Sequence, residues 1–230
     1  MSSSRATIVN PASSETAAAR AGWTLQVAER SLLLDHPDLT GATLALLAPD
    51  VRAAVQSDLD AGAALASLTK KLAEKLPPWH IVHPADSAEL LGYYKAASTA
   101  TGVPWPYLAA INLVETRMGR IRGVSTAGAQ GPMQFLPSTW AIVGEGGDIN
   151  SYHDAIFGAA RYLKRNGAPS NMAGAIWNYN HSDAYVAAVI AYANQMIANP
   201  RAYYGYWGWQ VYYRYTGGAV LLPEGWTSPG

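Results

Sequence analysis

The chain contains no cysteine, which excludes disulfides, thiol nucleophiles and zinc–thiolate sites. Charge is scarce: 14% of the residues are charged, and 16 Lys and Arg balance 16 Asp and Glu. A neutral chain has no electrostatic footprint for nucleic acid or for an anionic membrane surface, so neither is expected as a partner. No apolar run approaches the roughly 18 residues that cross a bilayer. The opening stretch, MSSSRATIVNPASSETAAAR, lacks the apolar core of a secretory signal. Phe is nearly missing, 2 against 14 Tyr and 8 Trp, so almost every aromatic ring here carries a polar handle. The five histidines (His36, His80, His83, His153 and His181) form no HExxH pair, and no metal site is expected. Gly144–Asp148 lacks the Gly-Lys-Ser/Thr ending of a phosphate loop. No nucleotide is expected there, and Asp148 reads as a turn residue that bonds its own backbone.

What is present points to helices. Half of the 230 residues are hydrophobic, enough for a sizeable core. Residues 1–15, rich in Ser, Ala and Thr, read as a flexible N-terminus. Apolar spacing then predicts helices near 16–34, 40–57 and 60–75, a helical extension covering 16–76. Pro77-Pro78 ends it, and 77–85 reads as a Pro-rich linker. Beyond it, Asp86 or Ser87 caps a helix ending before Gly102, and Pro104 opens a second. Pro137-Ser138 begins a short helix, Asp154 opens one closed by Gly167, Ser170 caps another, and Ser182 caps a long one stopped by Pro200. The tail, 203–230, is aromatic-rich. It has two β-favouring runs around Thr216-Gly217-Gly218, which predicts a short hairpin. Its aromatics suit either sugar rings or core packing.

Leu108, Ile111, Glu115 and Met118 recur at helical spacing, which puts a carboxylate on an apolar face. Such a group is either ion-paired, here with Arg117, Arg120 or Arg122, or held partly desolvated. Desolvation keeps a carboxyl protonated to higher pH, the state a general acid needs. The loop that follows, STAGAQGPMQ, has Gly128 and Gly131, which permit backbone shapes closed to other residues.

Glu115 followed by Ser125-x-x-Gly-Ala-x-Gly-x-Met-Gln-x-x-Pro137 resembles the catalytic motif of lytic transglycosylases, in the soluble lytic transglycosylase and goose-type lysozyme group. Trp177-Asn178-Tyr179-Asn180 is similar to that family's Ala-Tyr-Asn element, and Tyr185-Val186 to its Tyr-Val element. The resemblance implies a lysozyme-like helical catalytic domain over 86–202, with Glu115 as the catalytic acid. Ser125, Met133, Gln134, Tyr179, Asn180, His181 and Tyr185 would bind substrate. It implies a peptidoglycan glycan strand as the partner, no cofactor, and a secreted or cell-envelope location with the export signal removed; the sequence leaves the oligomeric state open, with a monomer the expectation. Three positions depart from the family pattern: Thr116 stands for Ser, Pro132 for Leu, and His181 for Glu, with Asp183 nearby.

Most glycosidases use two carboxylates. Between Thr101 and Pro200 the acids are Glu115, Glu145, Asp148, Asp154 and Asp183. The last four read as turn or helix-start residues. A lone acid suits non-hydrolytic cleavage that leaves a 1,6-anhydro end. The alternatives are a hydrolytic lysozyme, with Asp148 or Asp183 brought close by folding, and a wall-binding module without activity.

Overall fold

The structure, a computed structural model, describes residues 1–228. In chain order the elements are α1 (Ser2–Val9), α2 (Glu15–Arg30), α3 (Thr40–Ala45), α4 (Pro49–Ser67), β1 (His80–Ile81), α5 (Ser87–Thr101), α6 (Trp105–Thr116), β2 (Ile121–Arg122), α7 (Pro137–Val143), α8 (Tyr152–Arg165), α9 (Met172–Tyr179), α10 (Asp183–Ala198), α11 (Ala202–Trp207), β3 (Val211–Tyr215) and β4 (Gly218–Leu222). Helix holds 59% of the residues, and the strands form two small antiparallel pairs, so the chain is mainly α as expected. It divides into two compact units. One is Met1–Thr69 with Ser182–Trp209; the other is Lys70–His181 with the residues from Gln210 on.

The first unit is all helical. Ser14 caps α2 by accepting from the Ala17 N–H at 3.1 Å, and α2 packs on α1 and α11. The approach of α2 to α11 is backbone-close: a Cβ on Gly22 would lie 2.0 Å from the Gly205 carbonyl oxygen. Ile8, Leu25, Leu32, Leu44, Val55 and Leu59 form its aliphatic core. Helix α10, expected with 86–202, packs along α4.

Three expectations for this unit need correction. Residues 2–9 are helical although polar, because tertiary contacts replace propensity. Arg201 donates to the Ile8 carbonyl at 3.1 Å and the Ser13 carbonyl at 2.6 Å, placing a cation at the C-terminus of α1. The helix expected over 40–57 breaks at Pro49, which begins α4, since the residue before a proline is pushed out of helical geometry. Arg52 bridges the break by donating to the carbonyls of Leu44, Ala45 and Leu47. The helix expected over 60–75 is the second half of α4 and stops at Ser67.

In the second unit, α5 packs on α8 and α6, and α8 on α9. Helix α6 is apolar almost all round and enclosed, with Leu108, Ala109, Ala110, Ile111 and Leu113 wholly buried. Met118 lies past its end, not on the face shared by Leu108 and Ile111. Strand β1 pairs with β2. Its Ile81 also exchanges hydrogen bonds with the tail, donating to the Trp226 carbonyl at 2.9 Å and accepting from the Gly225 N–H at 2.8 Å. Ile81, Val211 and Leu222 form a small core under the β3–β4 hairpin. The hairpin turns at Thr216-Gly217 as expected. Tyr203–Trp207, expected within the hairpin region, is instead α11 of the other unit, where Tyr192, Tyr206 and Trp209 pack edge to face with centroids 5.1–5.6 Å apart. Two caps also differ by a residue or more. Ser151 rather than Asp154 caps α8, and Asn171 rather than Ser170 caps α9.

Candidate active site

Glu115 sits in the last turn of α6, half-buried, and lines a groove of about 970 Å³. The helix ends abruptly. Arg117, Met118 and Gly119 have φ of 54°, 59° and 83°, three successive left-handed residues. Two of them bear side chains, at a cost of about 1–3 kcal/mol each that surrounding contacts must offset. Those contacts are visible. The Arg117 and Met118 N–H groups donate to the carbonyls of Leu113 and Asn112 at 3.1 and 3.2 Å. Thr116 Oγ1 accepts from the Gly119 N–H at 3.0 Å.

The loop 125–134 is pinned to the helix through its backbone. Thr116 Oγ1 and Asn112 Nδ2 both donate to the Pro132 carbonyl, at 2.6 and 2.7 Å. Tyr94 OH donates to Asn112 Oδ1 at 2.6 Å. Asn112 and Thr116 are wholly buried, so this polar network is satisfied in the core and fixes the loop against the residue next to Glu115. The next carbonyl, that of Met133, accepts from Tyr179 OH at 2.6 Å. Only glycine fits at 131: its φ is 74°, and a Cβ would lie 1.9 Å from the Ile149 carbonyl oxygen.

Ser125 and Gln134 line the groove with Glu115. Ser125 Oγ accepts from the Ala129 N–H at 3.0 Å. Gln134, with φ of 50°, donates from Nε2 to the Gly131 carbonyl at 3.0 Å. Tyr179 ends α9, braced by Phe135 and Tyr162 with centroids 5.5 Å away. Burial, then the charge of Glu115, then Tyr162 push its hydroxyl well above the usual tyrosine range, so it stays a hydrogen-bond donor. Met133 is wholly buried and packs beneath the loop, presenting no side-chain surface to the groove. Asn180 and His181 are exposed just after α9, His181 edge-on to Trp177 at 4.3 Å. Tyr185 belongs to the first unit and is 2% exposed.

The neighbouring arginines also engage other groups. Arg120 is buried and pairs with Glu224, Arg122 lies over the Tyr152 ring at 4.8 Å, and Arg117 donates to the Leu113 carbonyl at 2.6 Å. Asp148 accepts from the Asn150 N–H at 2.9 Å, a local turn bond. Among the described residues no group of three His, Cys, Asp or Glu is placed to hold a metal ion.

The groove has a wall that the motif does not predict. Lys71 through Trp79 line it without interruption, together with Tyr213. This run includes a second carboxylate, Glu74. Its charge pattern, Lys71-x-x-Glu74-Lys75, was available in the sequence but fitted the end of the helix expected over 60–75 equally well. No family model, curated protein or solved structure matches the chain.

Proposed function

We propose that this protein cleaves the β-1,4 bond between N-acetylmuramic acid and N-acetylglucosamine in peptidoglycan, without water, through a lysozyme-like catalytic domain. The observation that carries the proposal is Glu115, a half-buried carboxylate at the end of an enclosed helix, opening on a groove beside a loop fixed by its backbone. Glu115 as the carboxylic acid gives its proton to the glycosidic oxygen. The substrate's own 2-acetamido oxygen attacks the anomeric carbon and forms an oxazolinium ring. Glu115, now a carboxylate, takes the proton of the C6 hydroxyl. The C6 oxygen closes on the anomeric carbon, the oxazolinium opens, and a 1,6-anhydro end results. Glu115 regains its proton and no water is consumed. Ser125, Gln134 and Tyr179 supply the polar edge and the pinned geometry that proximity catalysis needs. The substrate lies outside the cytoplasmic membrane, so export belongs to the proposal. Among the described residues no helix is long and apolar enough to cross a membrane.

A hydrolytic lysozyme is the second reading, favoured by one observation: Glu74 lines the same groove and could activate water, the role of the second carboxylate in most glycosidases. Digestion of purified peptidoglycan followed by mass spectrometry separates the two. Anhydro products lack one water and resist borohydride; reducible products carrying that water, made by wild type and abolished in Glu74→Gln, would assign the hydrolytic reading.

A further inference from the structure

The wall formed by Lys71–Trp79 lies outside the segment whose motifs resemble the transglycosylases, and it is held in place at both ends. The Thr216 N–H donates to the Ala73 carbonyl at 2.9 Å, and the Ser228 N–H to the Trp79 carbonyl at 3.2 Å. The chain therefore runs along the groove as an anchored strap. Its apolar members, Leu72, Leu76 and Trp79, are half-buried, and Trp79 meets Tyr213 edge-on at 5.3 Å. Lys71 and Lys75 are exposed, line the groove, and make no hydrogen bond or ion pair among the described residues. Lys-Leu therefore recurs four residues apart along one wall, giving cation, apolar contact, cation, apolar contact.

We infer that this strap is a subsite for the anionic peptide stem of peptidoglycan, with Lys71 and Lys75 pairing to its free carboxylates while Leu72, Leu76 and Trp79 meet its methyl groups. The inference rests on the proposed substrate. A stem of alanine and dicarboxylic residues offers both methyls and carboxylates, and hangs from the muramic residue that would sit beside Glu115. Glu74 repels carboxylate, which fixes the register: an acid group fits beside either lysine and not between them. Exposed ion pairs contribute little each, so the strap selects peptide-bearing strands over bare ones more than it creates affinity.

The test measures binding, not cleavage. Wild type is titrated, by tryptophan fluorescence at low salt, with a synthetic muramyl tripeptide, with the same peptide carrying amidated carboxylates, and with N-acetylmuramic acid lacking peptide. Two exposed pairs predict about fivefold tighter binding of the free-acid peptide than of either other probe. That gain should shrink with added salt, vanish in Lys71→Ala/Lys75→Ala, and survive in Lys71→Arg/Lys75→Arg. Equal affinity for the three probes, no binding of any, or a gain undiminished in the alanine pair would overturn the inference. Failure of the enzyme proposal would look different: peptide binding intact, but no new glycan ends released from peptidoglycan by wild type.

Discussion

At the scale of single residues, the hydroxyl of Thr116 holds the loop against the helix next to Glu115. It donates to the Pro132 carbonyl and accepts from the Gly119 N–H, and serine could do both. Thr116→Ser is expected to keep near-wild-type stability and turnover. Thr116→Val, nearly the same shape, leaves the buried Gly119 N–H without its partner, at a cost of about 1–3 kcal/mol, read by denaturant unfolding. Glu115→Gln tests the acid itself. The amide keeps the shape but has no proton to give to the leaving oxygen, so cleavage of purified peptidoglycan should fall about 10²- to 10⁴-fold with an unchanged thermal unfolding curve. Turnover near wild type would remove Glu115 from the role. These residues were legible because the motif is local. Met133, expected to bind substrate, is wholly buried, because a one-dimensional motif does not say on which side of the loop a side chain points. Lys71–Trp79 was not legible because the pairings that bring the strap beside Glu115, of Ala73 with Tyr215 and of β1 with β2, join residues distant in sequence.

Among the helices, the first unit buries two carboxylates. Asp58 on α4 is 5% exposed and accepts from Tyr206 OH of α11 at 2.6 Å. Glu29 on α2 is equally buried, and its Oε1 has no hydrogen-bond partner among the described residues. Burial raises Asp58 from 3.8 to about 6, against the pull of the Tyr206 hydrogen bond and of Arg5. Burial and then the charge of Asp58 raise Glu29, while Arg5 lowers it. A carboxyl raised in the fold binds its proton more tightly there than in the unfolded chain. Its stabilisation is complete below the unfolded value near 3.8 and is lost as pH rises through about 6. The unfolding midpoint should therefore drop between pH 4 and 6.5 in wild type and drop less in Asp58→Asn, whose amide oxygen can still accept from Tyr206. An equal drop in both would clear Asp58. Helix starts and stops were legible where a proline or a capping side chain marks them, as at Pro104, Pro137 and Ser182. They were not legible at α1, whose C-terminal end is held by Arg201 from far along the chain.

Across the whole molecule, the tail closes the second unit: it completes β1 through Gly225 and Trp226 and ties down the strap through Thr216 and Ser228. A chain ended after Trp209 lacks these partners and leaves Ile81 without Val211 and Leu222. Trypsin should cut it at Lys70, Lys71 or Lys75 much faster than the full chain, followed by gel and mass spectrometry. Unchanged cleavage would show that the strap holds itself.

Each unit is assembled from two separate stretches, with the chain crossing between them after Thr69, after His181 and after Trp209. On the ribosome, where domains usually fold as they emerge, neither unit can be finished in turn. α4 leaves the exit tunnel with the face that α10 will cover still bare, and waits until all five α-helices of the other unit have been translated. The second unit then waits for its final strands. The aliphatic core from Ile8 to Leu59 lies within the first stretch, but the face of α4 that α10 covers, and Ile81 beneath the hairpin, stay bare until most of the polypeptide has been made.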